Sequence, residues 1–285
     1  MPVGIVPYNL RHHPTLAEIP LEELIWPMGK PKYGKAIADL DTADRVVCYP
    51  SSTRLLKPIG RLRCKITLLM FEPWAIQGRY YRMLWLLRFK FDSVLCRYQR
   101  LCNRYDNVYA FEVVQSWVDI NVLSPGYVKQ KPCSIIASGK TDMPGHQLRH
   151  RIVEHIRAQC LPVDILGRGY NPFENKADGL LPYHYSVIIE NVREDDFYTE
   201  KLLDCMLCGT LPIFWGAPNI TDHFDPQGMI ICANSDEIMA ALTSLDTGYF
   251  SDSVKQAMEL NRQKAMQLAD LNGRIGRFFA AMDDE

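Results

Sequence analysis

The sequence predicts an α/β protein built from two halves, each a parallel sheet with helices on its faces. Three observations carry that prediction. Short apolar runs rich in β-branched and aromatic residues recur along the chain, as buried strands do. The stretches between them are long enough for crossover helices, which parallel pairing requires. A Pro-, Gly- and Lys-containing stretch, "SPGYVKQKP" at 124–132, has little to bury and reads as the connection between the halves. On this reading residues 1–128 form a first α/β domain and 133–285 a second.

In the first half, "TLAEIPLEELIW" (15–26) carries helical periodicity interrupted at Pro20. Strands are expected at "DRVVCY" (44–49), "KITLLMF" (65–71), "FDSVLC" (91–96) and "NVYAFEVV" (107–114). The second half alternates more cleanly. Strand "SIIAS" (134–138) leads to helix "GHQLRHRIVEHIRAQ" (145–159) and strand "VDILG" (163–167). Strand "YSVIIEN" (185–191), helix "TEKLLDCMLC" (199–208), strand "TLPIFW" (210–215) and strand "GMIICA" (228–233) follow. The tail is helical, with "SDEIMAALTSL" and then one long segment over 251–282. No internal repeat is visible. Two such halves make a cleft, and ligands of α/β sheets sit beyond the carboxyl ends of the strands.

Composition narrows the function classes. The chain has 285 residues, 47% hydrophobic and 23% charged, and a net charge of −1, so no global field draws it to nucleic acid or to a membrane. No apolar run approaches the roughly 18 residues that span a bilayer, and the N-terminus lacks a signal-peptide pattern; a cytoplasmic protein is the expectation. Most of the nine cysteines sit in apolar segments, where a thiol behaves as a small hydrophobe. Cys205 and Cys208 form a C-x-x-C, but no second pair or histidine follows at ligand spacing, so they read as two thiols on a helix. The histidines show no metal spacing, and no metal site is expected.

The segment "REDDFYTEKLLDCMLCGTLPIFWGAPN" (193–219) concentrates the chemistry. Asp195 and Asp196 precede a helix start, where negative charge is favourable, and Glu200 and Lys201 alone would pass for a first-turn acid and a solvated lysine. Their surroundings say more. Glu190 and Asn191 end one strand, Gly167-Arg168-Gly169 ends another, and Ser138 and Gly139 end a third. A guanidinium, an ammonium and a helix N-terminus at one edge suit a diphosphate, and Asn and Glu suit a base or ribose hydroxyls. The residues thus point to nucleotide binding without fixing the nucleotide.

The ordered string "YHYSVIIENVREDDFYTEKLLDCMLCGTLPIFWGAPN" (183–219) closely resembles the donor-binding segment of glycosyltransferase family 10, the α-1,3/1,4-fucosyltransferases. "IIASGK…LRHRI" and "LPVDILGRG" are similar to further parts of that pattern, and the resemblance runs from about Ser134 to Pro226. It implies a GT-B-like α/β fold: two Rossmann-like domains facing across a cleft, with a helical C-terminal tail. It implies inverting transfer of L-fucose from GDP-fucose to a glycan or glycolipid hydroxyl, without a metal or other cofactor. Arg168 and Lys201 would meet the diphosphate, Glu200 would act at the sugar, and Glu190 and Asn191 would shape the nucleotide pocket. Ser138 and Arg149 would belong to the same donor site. The chain departs from the family pattern at Phe197, where a tyrosine is usual, with Tyr198 beside it as a substitute hydroxyl. It departs again at Gly139, where an asparagine is usual.

Inverting transfer needs a base to take the acceptor's proton. Glu72 follows the apolar strand in "ITLLMFEPWAIQG", and the family has a glutamate in a similar setting; Asp92 and Glu112 are the fallbacks. In 79–105, seven basic residues face only Asp92 as an acid, interleaved with aromatics. That run reads first as a solvated amphipathic face and second as a peripheral contact with an acceptor or membrane surface. No nucleic-acid partner is expected. Competing readings are the same scaffold with another nucleotide-sugar, a non-catalytic nucleotide- or glycan-binding protein, and a nucleic-acid-binding module centred on 79–105.

Overall fold

The structure, a computed structural model, describes residues 2–51, 59, 62–119, 127–245 and 249–283. They form two compact units, Met1–Val113 with Asp270–Glu285, and Val114–Ala269.

The first unit holds a five-stranded sheet in the order β1-β2-β3-β4-β5, every neighbouring pair parallel. The strands are β1 (Val3–Ile5), β2 (Arg45–Cys48), β3 (Lys65–Met70), β4 (Ser93–Cys96) and β5 (Val108–Ala110). Right-handed crossovers that always step the same way across a sheet fall on one face of it. Helix Trp74–Leu87 lies there, with Tyr80, Tyr81, Leu84 and Leu87 packed on Val46, Leu68, Met70 and Val94. The other face carries the alternate residues Val47, Leu69 and Leu95, and needs a separate cover. Helix Leu271–Asp283 supplies it through Leu271, Ile275 and Phe279. Arg45 fixes this contact: its guanidinium donates to Thr67 Oγ1 and Ser93 Oγ, both at 2.9 Å, and lies 4.0 Å from the centre of the Phe279 ring.

Three expectations are corrected here. The predicted single tail helix is two, Asp252–Ala269 in the second unit and Leu271–Asp283 in the first, separated at Asp270. The unit boundary falls between Val113 and Val114, ahead of the 124–132 connection, whose residues 124–126 lie outside the described residues. The cause is packing: Val113 joins the core under the last helix, while Val114 and Val118 join the core of the second unit. The periodicity over 15–26 yields only the 3-10 turns Leu16–Glu18 and Leu21–Glu23, because Pro20 interrupts the ladder.

The second unit's sheet runs β10-β9-β8-β6-β7, again all parallel. Its strands are β6 (Lys131–Ile136), β7 (Val163–Leu166), β8 (Tyr183–Ile189), β9 (Leu211–Trp215) and β10 (Ile230–Ile231). After β7 the order doubles back past β6 to β8, so crossovers cover both faces. Helices Pro144–Ala158 and Ser235–Thr243 pack on one, Glu200–Leu207 and Asp252–Ala269 on the other.

Candidate active site

A reversal of strand order splays the loops at the carboxyl ends of the two flanking strands and opens a crevice between them. Here those strands are β6, followed by Ala137–Ser138, and β8, followed by Glu190–Asn191. Helix Glu200–Leu207 starts beside the same edge. Thr199 caps it, its hydroxyl accepting from the Lys201 N–H at 3.4 Å.

Glu190 is fully buried, and both its oxygens are taken within the protein. Oε1 accepts from the Thr199 N–H at 2.8 Å and the Thr199 hydroxyl at 2.9 Å. Oε2 accepts from Lys201 Nζ at 3.3 Å. The Lys201 ammonium also donates to Thr199 Oγ1 at 3.0 Å and Glu200 Oε1 at 3.3 Å, so its three protons have three acceptors. Burial alone would lower the Lys201 pKa; Glu190 and then Glu200 outweigh it and hold the amine above its ordinary 10.5. For Glu200, burial raises the pKa while Lys201 and Lys176 lower it, and the net effect is a carboxylate below its ordinary 4.5. The two acids are unequal partners. Glu190 has no exposed surface, whereas Glu200 retains 17% of its own, so Glu200 is the one an incoming anion can replace on Lys201.

Arg149 belongs to the same edge. Its Nε donates to Ile189 O at 3.1 Å, its Nη2 donates to the same carbonyl, and Nη2 reaches Asn191 Oδ1 at 3.1 Å. Burial depresses the Arg149 pKa, against the pull of Glu190 and Glu200. The helix bearing Arg149 can sit this close because it begins at Pro144-Gly145. The Gly145 N–H donates to Asn191 O at 2.9 Å, and a Cβ there would lie 1.8 Å from Glu190 O.

Arg168 is exposed on the turn after β7, between two glycines of positive φ. A Cβ on Gly167 would meet Ala137 O at 2.1 Å, so the turn is pressed against the end of β6. Arg168, after β7, and Lys201, in the helix that follows β8, therefore belong to the carboxyl edge of one sheet, and the two strands lie two positions apart, about 10 Å by the usual spacing. Ser138 is half-buried, two residues past the end of β6, the strand between. Phe197 and Tyr198 are both buried; Tyr198 packs in the core with Leu202, its ring 5.3 Å from Phe224. They support the loop from beneath. The loop itself is clamped at Asp196, which has φ 60° and whose Oδ1 accepts from Asn219 at 2.8 Å and sits 3.0 Å from His223 Nε2.

Two site neighbours escaped the sequence reading. Asp204 is fully buried, and its Oδ1 accepts from the Ser116 hydroxyl and the N–H groups of Trp117 and Val118, tying that segment to the helix below Lys201. An acid inside the apolar run "KLLDCMLC" was the available signal. Lys176, whose charge acts on both Glu200 and Asp204, had none. The C-x-x-C thiols are buried in the core and burial pushes both upward, Cys208 to about 12, the reverse of a reactive pair. Among the described residues no three His, Cys, Asp or Glu side chains gather as metal ligands.

In the first unit, Glu72 follows β3 at the carboxyl edge, where Tyr81 donates to its backbone carbonyl at 2.9 Å. Beside it Tyr8, Tyr49 and Phe71, which follow β1, β2 and β3, form an edge-to-face cluster with centroids 5.0–5.6 Å apart. Arg11 lies 3.9 Å over Tyr8, and burial and then the Glu72 charge raise the Tyr8 pKa. The fallback Asp92 is corrected: it precedes β4 and accepts from the Ile66 N–H at 2.6 Å, at the opposite, amino edge. Glu112 follows β5, its carbonyl accepting from Arg274 at 2.8 Å.

Comparison with known proteins points to the same part of the chain. Residues 128–248, all within the second unit, match the model of "Glycosyltransferase family 10 (fucosyltransferase) C-term". The chain is 34% identical over 62 residues to an alpha-(1,3)-fucosyltransferase of Helicobacter pylori, covering 22% of this chain and 13% of that protein. It is 27% identical over 114 residues to a putative fucosyltransferase-like protein of Arabidopsis thaliana, covering 39% and 22%. The matched stretches thus span less than a quarter of either relative. In architecture the chain is similar to Anabaena Alr3699/HepE, solved in complex with UDP, with a TM-score of 0.60 at 12% identity over 84% of this chain and 79% of that one. The two parallel-sheet units are those of a GT-B-like fold.

Proposed function

We propose that this chain, whose residues 128–248 match the glycosyltransferase family 10 C-terminal model, transfers L-fucose from GDP-fucose to a glycan hydroxyl with inversion at the anomeric carbon, in the α-1,3 manner. The observation that carries this reading is the Glu190–Thr199–Lys201 network at the β8 edge, inside the matched segment. It holds an ammonium charged at the start of a helix, next to a crevice suited to a nucleotide. In this reading the diphosphate displaces Glu200 from Lys201, and Arg168 closes on it from the β7 turn. The released Glu200 then lies by the sugar, where a carboxylate favours positive charge developing at the anomeric carbon. Glu190 stays in place and positions Lys201. On the acceptor side Glu72 takes the proton of the attacking hydroxyl as the bond from fucose to GDP breaks and GDP departs with the electron pair. Lysine and arginine offset the charge on the leaving diphosphate, so the reading invokes no metal.

The test is calorimetric titration with GDP and GDP-fucose, followed by transfer assays on a panel of glycans. GDP-fucose should be turned over in preference to GDP-mannose. Preferential mannose transfer would discard the donor assignment, and unchanged GDP affinity in Lys201→Ala would discard the placement of the diphosphate.

A further inference from the structure

Helix Trp74–Leu87 leaves one face outside the core. Trp85 and Leu86 at its end are 60% and 59% exposed, and Phe89 in the following turn Arg88–Lys90 is 75% exposed. Three large apolar side chains within five residues form an uncovered tip, and burying such groups is strongly favourable. The rim is cationic. Arg79 and Arg82 are exposed on the same helix, Lys90 closes the turn, Arg100 is exposed on the short helix Gln99–Cys102, and Arg104 is exposed in the turn after it. From Pro73 to Phe91 there is no acidic residue. Arg88 folds back on the tip, its guanidinium 3.9 Å from the Phe89 ring centre, with Nη1 donating to Trp85 O at 2.6 Å. Arg97, basic in sequence, is withdrawn from this surface: it is buried and donates to Phe71 O and Val113 O.

We propose that the Trp85–Leu86–Phe89 tip docks the protein on a membrane containing anionic phospholipid. Charge complementarity selects this occupant. A second copy meeting the same face would oppose arginine to arginine. Nucleic acid would satisfy the cations and leave Leu86 without an apolar phase. An anionic bilayer satisfies both sets: the aromatics and leucine enter the headgroup–acyl boundary while Arg79, Arg82 and Lys90 meet lipid phosphates. The contact is peripheral; among the described residues no helix is long and apolar enough to cross a membrane. It does not depend on the proposed transferase activity.

Vesicle flotation of the purified chain tests it, with phosphatidylcholine alone and with phosphatidylglycerol added. The chain should float with the anionic vesicles, at least tenfold less with the neutral ones, and less as salt rises. Trp85→Ser with Phe89→Ser should lower partitioning by more than about tenfold, and each of Arg79→Gln and Arg82→Gln by about fivefold. GDP affinity and thermal unfolding should be unchanged, since all four side chains are exposed. Absence of flotation, equal flotation with both vesicle types, or full retention by the serine variant would overturn the proposal. So would concentration-dependent self-association, or RNA binding without flotation, abolished by the same serine changes.

Discussion

The two sheets have the same number of strands and the same all-parallel pairing, yet they solve different problems. In the first the strand order never turns, so its own crossovers cover one face and the far end of the chain covers the other. In the second the order turns at β6 and β8, both faces are covered locally, and the turning point opens a crevice. The charged groups follow this difference. Around the turning point Glu190, Lys201, Glu200 and Arg149 form a dense polar network. At the carboxyl edge of the first sheet, where Glu72 follows β3, three aromatic rings cluster with one arginine over them. An edge built from rings suits the flat apolar faces of a sugar, and an edge built from cations suits a phosphate.

Mutations can break this division of labour. The largest expected effect is on turnover. Glu72→Gln should lower kcat by about 10²–10⁴-fold and leave GDP affinity as it was, measured by transfer kinetics and calorimetry; parallel loss of GDP binding would erase the distinction between the two edges. Next is Phe279→Ala, which empties a fully buried ring site and should cost about 3–5 kcal/mol in a denaturant melt. Because Phe279 covers only the first sheet, GDP affinity at the second should survive, and its disappearance would show the units to be coupled. Lys201→Met should destabilise by about 3 kcal/mol, because it strands the buried Glu190 with only its Thr199 donors, and should weaken GDP binding more than tenfold. The smallest effect on stability is that of Glu200→Gln, under about 1 kcal/mol for a part-exposed pair. Its sign with pH is diagnostic. The folded pKa of Glu200 lies below 4.5, so its contribution is complete above 4.5 and is lost as pH falls through the folded value. Wild type and variant should therefore differ in stability at neutral pH and converge in acid.

Much of the second unit was legible in the sequence because its strands and helices alternate with clear polar punctuation. The run from Tyr183 to Trp215 became β8, helix Glu200–Leu207 and β9 within two residues of expectation. The first unit was harder. β1 is three residues between prolines, too short for a period to register, and the 15–26 pattern is helical in spacing but divided by Pro20. At the candidate site, Glu190, Lys201 and Arg149 were singled out by their order along the chain. Their mutual bonds were not, because the Lys201 ammonium reaches back eleven residues to Glu190 through the start of a helix, and Arg149 reaches forty to a backbone carbonyl. Periodicity reports which face a residue occupies and carries no information on what that residue touches across the edge. The split of the tail at Asp270 was hidden for a related reason, since two amphipathic helices that part company in space read as one in sequence.

The placement of helix Leu271–Asp283 sets an order of events during synthesis. The strands of the first sheet leave the ribosome before any of the second unit, but the helix that seals one of their faces is translated after all of it. Until then Val47, Leu69 and Leu95 remain wet, and the nascent chain carries an unsealed sheet that invites chaperones. The second unit, contiguous from Val114 to Ala269, meets no such delay, so the sheet made first is the one finished last.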